Sequence, residues 1–117
     1  MIQSFKDLQI YIRSKGLVKE IYKITDRYPE KEKYNVISQL RRSVLSIPLN
    51  IAEGYGRQSR NDFKRFLRIS LGSSNEVEAL LEISKEIGYI SDIEYAKMSE
   101  ENEAIGKMIY RAIEKWE

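Results

Sequence analysis

Apolar residues recur along almost the whole chain at steps of three and four, the spacing that stacks side chains on one face of an α-helix. Four segments carry this pattern, and three short breaks divide them. The first opens at Ser4-x-x-Asp7, which has the form of a capping box, and runs to Tyr28, where Pro29 stops it. The second begins between Glu30 and Tyr34 and repeats apolar residues at Ile37, Leu40, Val44, Ile47 and Ile51. It is expected to end in Gly54-Tyr55-Gly56, where glycine takes the left-handed cap. Ser59-x-x-Asp62 opens the third segment, which passes through Phe63, Phe66, Leu67, Ser70, Val77, Leu80, Leu81 and Ile87 and closes at Gly88. A further box, Ser91-x-x-Glu94, opens the fourth, carrying Met98, Ile105, Met108, Ile109, Ala112 and Trp116. Connections this short set consecutive helices side by side and antiparallel. The pattern therefore predicts an all-α chain, one up-down-up-down four-helix bundle over residues 1–117, with no strand, linker or repeat.

Two positions depart from that regularity. Pro48 lies inside the second helix, where it removes a backbone donor and crowds the carbonyl of Val44. Because the apolar heptad stays in phase through Ile47 and Ile51, a kinked but continuous helix is expected, with two separate helices as the alternative. Ser43 and Ser46 are placed to satisfy the freed carbonyls. The first helix carries two stripes: Leu8, Tyr11, Val18, Tyr22 and Thr25, and beside it Ile10, Leu17, Ile21, Ile24 and Tyr28. Together they exceed the face that packing within one bundle requires. Leu17, Ile21, Ile24 and Tyr28 are accordingly expected to form a homo-oligomer interface; the alternative leaves Tyr11, Tyr22 and Tyr28 partly exposed.

Composition narrows the chemistry. The 117 residues include neither cysteine nor histidine, so the thiol nucleophile, the near-neutral acid/base group and the usual nitrogen and sulfur metal ligands are missing. No glycine-rich phosphate loop appears, and the remaining carboxylates, lysines, tyrosines and serines form no recognisable catalytic constellation. The expectation is a protein with no enzymatic activity, no cofactor and no metal. A carboxylate-based hydrolase is the residual alternative. Lack of disulfides and of any uncharged apolar run near bilayer length points to the cytoplasm and away from membranes.

The net charge of +2 is unevenly spread. Residues 1–29 hold six basic and three acidic side chains, residues 30–58 five and three, residues 59–88 five and five, and residues 89–117 four and seven. Within the third helix, Arg60, Lys64, Arg65 and Arg68 crowd the N-terminal half, where the helix dipole disfavours cations, while Glu76, Glu78, Glu82 and Glu86 crowd the other. Arg60, Lys64 and Arg68 follow an i, i+4, i+8 ridge, and Arg57 precedes them. Arg41 and Arg42 are expected to come level with about Arg68 to Gly72, extending the basic surface toward phosphate binding. Solvated faces or intersubunit ion pairs are the alternative, and Glu53 is spaced to pair with Arg57.

The stretch SQLRRSVLSIPLNIAEGYGRQS, Ser38 to Ser59, followed by DFKRFLRISLGSSNEVEALLEISKEIGYI, resembles the intervening-sequence proteins encoded within bacterial large-subunit ribosomal RNA genes. That family includes the accessory variability determinant of diversity-generating retroelements. FKDLQIY and IYKITDRYP fit as well, so the resemblance spans nearly the whole chain. Matching positions are Arg41, Arg42, Pro48, Asn50, Glu53, Gly54, Gly56, Arg57 and Ser59, with Asn50 and Glu53 expected to bond the turn that follows helix two. The resemblance implies an antiparallel four-helix bundle assembled into a ring-like homo-oligomer, a pentamer. For the retroelement branch it implies a basic surface engaging RNA or DNA and a partner reverse transcriptase. Combined with the charge pattern, it predicts a non-enzymatic oligomer that binds structured nucleic acid through Arg41, Arg42, Arg57, Arg60, Lys64, Arg65 and Arg68. A pure protein-interaction scaffold, using those arginines between subunits, is the alternative.

Overall fold

The computed structural model describes residues 4–115, all of whose long elements are helices: α1 (Gln9–Thr25), α2 (Val36–Gly56), α3 (Arg60–Ile87) and α4 (Asp92–Lys115). Each packs on its neighbour in sequence and α4 closes against α1, giving the expected antiparallel four-helix bundle, 42 × 24 × 21 Å in extent. No strand occurs among the described residues, and none of their helices is long and apolar enough to cross a membrane. Trp116, assigned above to the fourth helix, lies outside them.

Where the chain carries a cap, the helix ends follow it. The Ser59 hydroxyl accepts from the Asp62 N–H at 3.3 Å, and Ser91 with Glu94 forms a complete box, 3.0 Å and 2.9 Å in its two directions. Gly88 takes φ 96°, and bonds from Tyr89 N–H to the Ser84 carbonyl and from Gly88 N–H to that of Lys85 make a Schellman end. Three boundaries differ from expectation. The Ser4–Asp7 box is present but caps a separate 3-10 turn, Phe5–Asp7, which extended Leu8 divides from α1. Helix α1 stops at Thr25, short of Tyr28, and α2 starts at Val36 after a second 3-10 turn, Glu30–Glu32.

The Gly54-Tyr55-Gly56 cap is also corrected. Both glycines lie within α2, and the positive φ of this connection belongs to Gln58, at 57°. Gly54 serves packing instead: a Cβ built there would lie 2.6 Å from Cβ of Phe66, so its missing side chain is what lets α2 and α3 approach. Helix α2 is continuous through buried Pro48. Ser43 and Ser46 do not serve the freed carbonyls but reach across to α3, Ser43 to Glu76 and Ser46 to Ser73, whose hydroxyl donates at 2.8 Å. The Ile47 carbonyl accepts from Ser70 at 2.9 Å. Asn50 turns back to Ser46 rather than forward to the turn.

The core also reverses the reading of the first helix. Leu17 and Ile21 are 1% and 0% exposed, and Ile24 and Tyr28 are buried with them against Leu40, Val44, Ile47, Leu81, Ile105 and Ile109. Leu17, Ile21, Ile24 and Tyr28 therefore form the chain's own core and leave no oligomer face there, each side chain of this size contributing about 1.5–3 kcal/mol by burial. The neighbouring stripe is half-buried and covered from within: Phe5 meets Tyr11 edge-on at 4.9 Å between centroids, and the Arg41 guanidinium lies 4.5 Å over Tyr22. Basic α1 and acidic α4 are joined along their seam. Arg13 grips Glu101 through two nitrogens, at 3.1 and 2.6 Å, and Arg27 pairs with Glu94.

Candidate nucleic-acid interface

The register of α2 against α3 decides which arginines meet. Ser43 opposite Glu76 and Ile47 opposite Ser70 set Arg41 and Arg42 level with about Val77, more than a turn beyond the Arg68–Gly72 level expected. Arg41 moreover faces α1. Its guanidinium donates to Thr25 Oγ1 at 2.9 Å, to the Tyr22 carbonyl at 3.3 Å and to Asp26 at 2.8 Å, besides covering the Tyr22 ring. It ties two helices together and stands apart from the basic surface. Arg42 is exposed but separated from the α3 cations by this register.

At the α2–α3 turn the structure brings Arg57 and Arg65 onto one ring. The two guanidinium carbons lie 5.2 and 4.5 Å from the Phe66 centroid, while Glu53 holds Arg57 at 3.0 Å and Asp62 reaches Arg65 at 3.6 Å. Glu53 thus pairs with Arg57 as its spacing predicted. Arg60, Lys64 and Arg68 form the expected ridge along the α4 side of α3; Arg60 and Arg68 are exposed and Lys64 half-buried, and each has a partner within the chain.

Sequence reasoning missed the facing ridge. Lys107, Arg111 and Lys115 repeat the same i, i+4, i+8 spacing on the last turns of α4, all exposed. They were hidden because the net charge of residues 89–117 is dominated by acids nearer the start of α4, namely Asp92, Glu94, Glu100, Glu101 and Glu103. The spacing itself was the available signal. The α3–α4 register is fixed by a reciprocal buried pair, Asn102 Nδ2 to the Ser74 carbonyl at 2.9 Å and Ser74 Oγ to Asn102 Oδ1 at 3.0 Å. Continuing that register carries Lys64 to about the level of Ile113 and Arg68 to that of Ile109. Both ridges therefore flank the same end of the bundle, with Glu103 and Glu114 the acids between them.

Between α3 and α4, bordered by the α4 ridge, runs an open groove of about 830 Å³, lined among others by Leu71, Asn75, Lys107, Tyr110 and Arg111, with Glu103 and Glu114 beside them. Its far end is closed by Glu78, which accepts from Ser99 at 2.9 Å and from the Tyr95 hydroxyl. That bond to a carboxylate pushes the Tyr95 phenol up from its ordinary value, since ionising it would set two anions face to face. The groove is thus acidic and internally satisfied at its Glu78 end, while at the other Lys107 and Arg111 stand beside Glu103 and Glu114.

The sequence matches the family model for the 23S rRNA-intervening sequence protein over residues 6–111. Among curated proteins, none matches it significantly. Among solved structures it is similar to a protein of unknown function from the S23 ribosomal protein family of Bacteroides thetaiotaomicron, at 30% identity and a TM-score of 0.80, over 89% of this chain and 97% of that one. The family match takes in all but the last residues of the bundle, and the chain belongs to the 23S rRNA-intervening sequence protein family.

Proposed function

We propose that this is a cytoplasmic, non-catalytic homo-oligomer that binds structured RNA through phosphate contacts. The observation that carries the reading is the convergence of two cationic ridges, Arg60-Lys64-Arg68 and Lys107-Arg111-Lys115, on one end of the α3–α4 face. Arg57 and Arg65, ordered over Phe66, extend that surface around the α2–α3 turn. Guanidinium held on an aromatic ring loses little freedom on meeting a phosphate, which favours contact at a given charge. The family's tie to 23S rRNA makes RNA the first nucleic acid to test. If the subunits assemble as a pentamer, a modest charge per chain becomes a repeated basic surface whose weak contacts reinforce one another.

Binding of a structured RNA should weaken steeply with salt, because every neutralised phosphate releases counterions and adds about 0.9 to the log-log slope on duplex, less on single strands. Replacing Arg60, Lys64 and Arg68 by glutamine is expected to flatten that slope and weaken binding, with the oligomer intact by sedimentation. A variant that falls apart into monomers makes these residues intersubunit ties and favours a protein-interaction scaffold. No RNA binding by the parent at low salt would remove the reading.

A further inference from the structure

We propose that Tyr110 is a stacking platform for an unpaired nucleobase, so that the α3–α4 groove takes single-stranded or looped RNA rather than continuous duplex; this rests on the RNA reading above. The chain has eight tyrosines. Seven have an aromatic, cationic or hydrogen-bonding partner: Tyr11 meets Phe5, Tyr22 Arg41, Tyr28 and Tyr89 each other, Tyr34 Lys33, Tyr55 Phe63, and Tyr95 Glu78. Tyr110 alone, among the described residues, has none, and it is 54% exposed.

Its place in the helix explains the open ring. Helical side chains lean toward the N-terminus and cover the preceding turn, and one turn before Tyr110 stands Gly106, which offers nothing to lie against. A larger residue at 106 would contact one face of the ring; glycine leaves it free and deepens the groove toward Leu71 and Ser74. Lys107 and Arg111 flank Tyr110 on its own helix, Lys107 paired with Glu103 at 3.1 Å, and the Arg60-Lys64-Arg68 ridge stands on α3 nearer the end of the bundle, beyond the groove's α3 lining of Leu71, Ser74, Asn75 and Glu78. Further along the groove, level with about Asn102, the Asn75 side chain lines it with no hydrogen-bond partner among the described residues, supplying both a donor and an acceptor to a neighbouring base edge. An open aromatic face with cations beside it, on a groove that presents an unused amide further along, is an arrangement that binds a strand by stacking its bases and tracking its phosphates. Duplex hides its base faces and can use only the cations. An acidic peptide would likewise use the cations and gain nothing from the bare ring.

The test compares the full-length parent with Y110A and Y110F against an oligouridine and a duplex RNA of equal length, at one fixed salt concentration. Loss of one base stack is expected to weaken oligouridine binding by Y110A about ten-fold or more. Y110F should stay within about two-fold of the parent, since it keeps the ring, and duplex affinity and salt slope should be unchanged in both. A 2-aminopurine placed in the strand should be quenched by the parent and by Y110F but not by Y110A. Equal affinity of Y110A and the parent for oligouridine, or an equal loss on strand and duplex, overturns the stacking assignment while leaving RNA binding in place. Competition by polyglutamate as effective as that by oligouridine also overturns it, making the groove an acidic-protein site. Absence of binding to either RNA would remove the parent reading and this one together.

Discussion

Gly54 and Gly56 look equivalent in sequence and are opposite in structure. Gly54 is in step with Ile47 and Ile51 and so lies on the core face, where a Cβ would come within 2.6 Å of Phe66 Cβ; at Gly56 nothing stands within 4 Å. Gly54→Ala should therefore lower unfolding free energy in urea by about 1–3 kcal/mol through overpacking. Gly56→Ala, in a helical position with open space, should raise it by up to about 1 kcal/mol. The heptad phase that separates them was legible in the sequence, but a glycine pair at a helix end reads as a stop signal and masks it. Arg41 carries a similar lesson. It belongs to the family-like RR pair, yet it bonds Thr25, Tyr22 and Asp26 while its neighbour Arg42 faces solvent, a division that no local signal reveals. Arg41→Ala is expected to cost about 1–2 kcal/mol of stability. Lysine should not restore it, because a single ammonium cannot donate to all three and also cover the Tyr22 ring. Neither substitution should change RNA affinity by more than one distant charge would.

Among the elements, cap motifs located three of the helix ends well, at Ser59, Gly88 and Ser91, because each satisfies backbone groups that water would otherwise have to reach. The same logic failed at Ser4, since a capping box closes a 3-10 turn as readily as an α-helix and only the extended Leu8 distinguishes the two. The Ser91–Glu94 box also sits on the α1–α4 seam. Glu94 is held below the usual carboxylate range, first by the Ser91 N–H and then by Arg27. A depressed carboxylate contributes its stability above the unfolded-state value and loses it as pH falls through the folded one. The first turn of α4 should therefore fray on acidification below about pH 4, seen as early loss of amide-exchange protection at the start of that helix. Glu94→Gln should remove that acid step while weakening the turn at neutral pH.

For the whole molecule, the bundle was readable from periodicity alone, whereas the sequence left open which stripe of a doubly apolar helix faces inward. Periodicity locates apolar faces but is silent on their partners, and here the Leu17-Ile21-Ile24-Tyr28 stripe is the one that faces the core. Outward apolar residues that neighbour one another across two helices occur on α2 and α3. Leu49 is 61% exposed, and Ile69, at nearly the same level in the register set by Ile47–Ser70 and Ser46–Ser73, is 42% exposed. Ile83 and Ile87 are exposed further along α3. If copies meet through this patch with an offset, so that one copy's α2 side touches the next copy's α3 side without the reciprocal contact, the interface is heterologous, the kind that can close into a ring. Sedimentation of the parent should accordingly give a multiple of 13.8 kDa, with five the expected number. Leu49→Asp combined with Ile69→Asp should return a helical monomer, while Ile93→Asp, at an 82% exposed position away from this patch, should leave the assembly whole. The same monomer provides an independent check on RNA binding: it keeps every cation of the α3–α4 groove but loses their repetition, so its affinity should fall together with its salt slope. A parent that sediments as a monomer ends the ring, and a doubly substituted variant of unchanged mass moves the interface to another face.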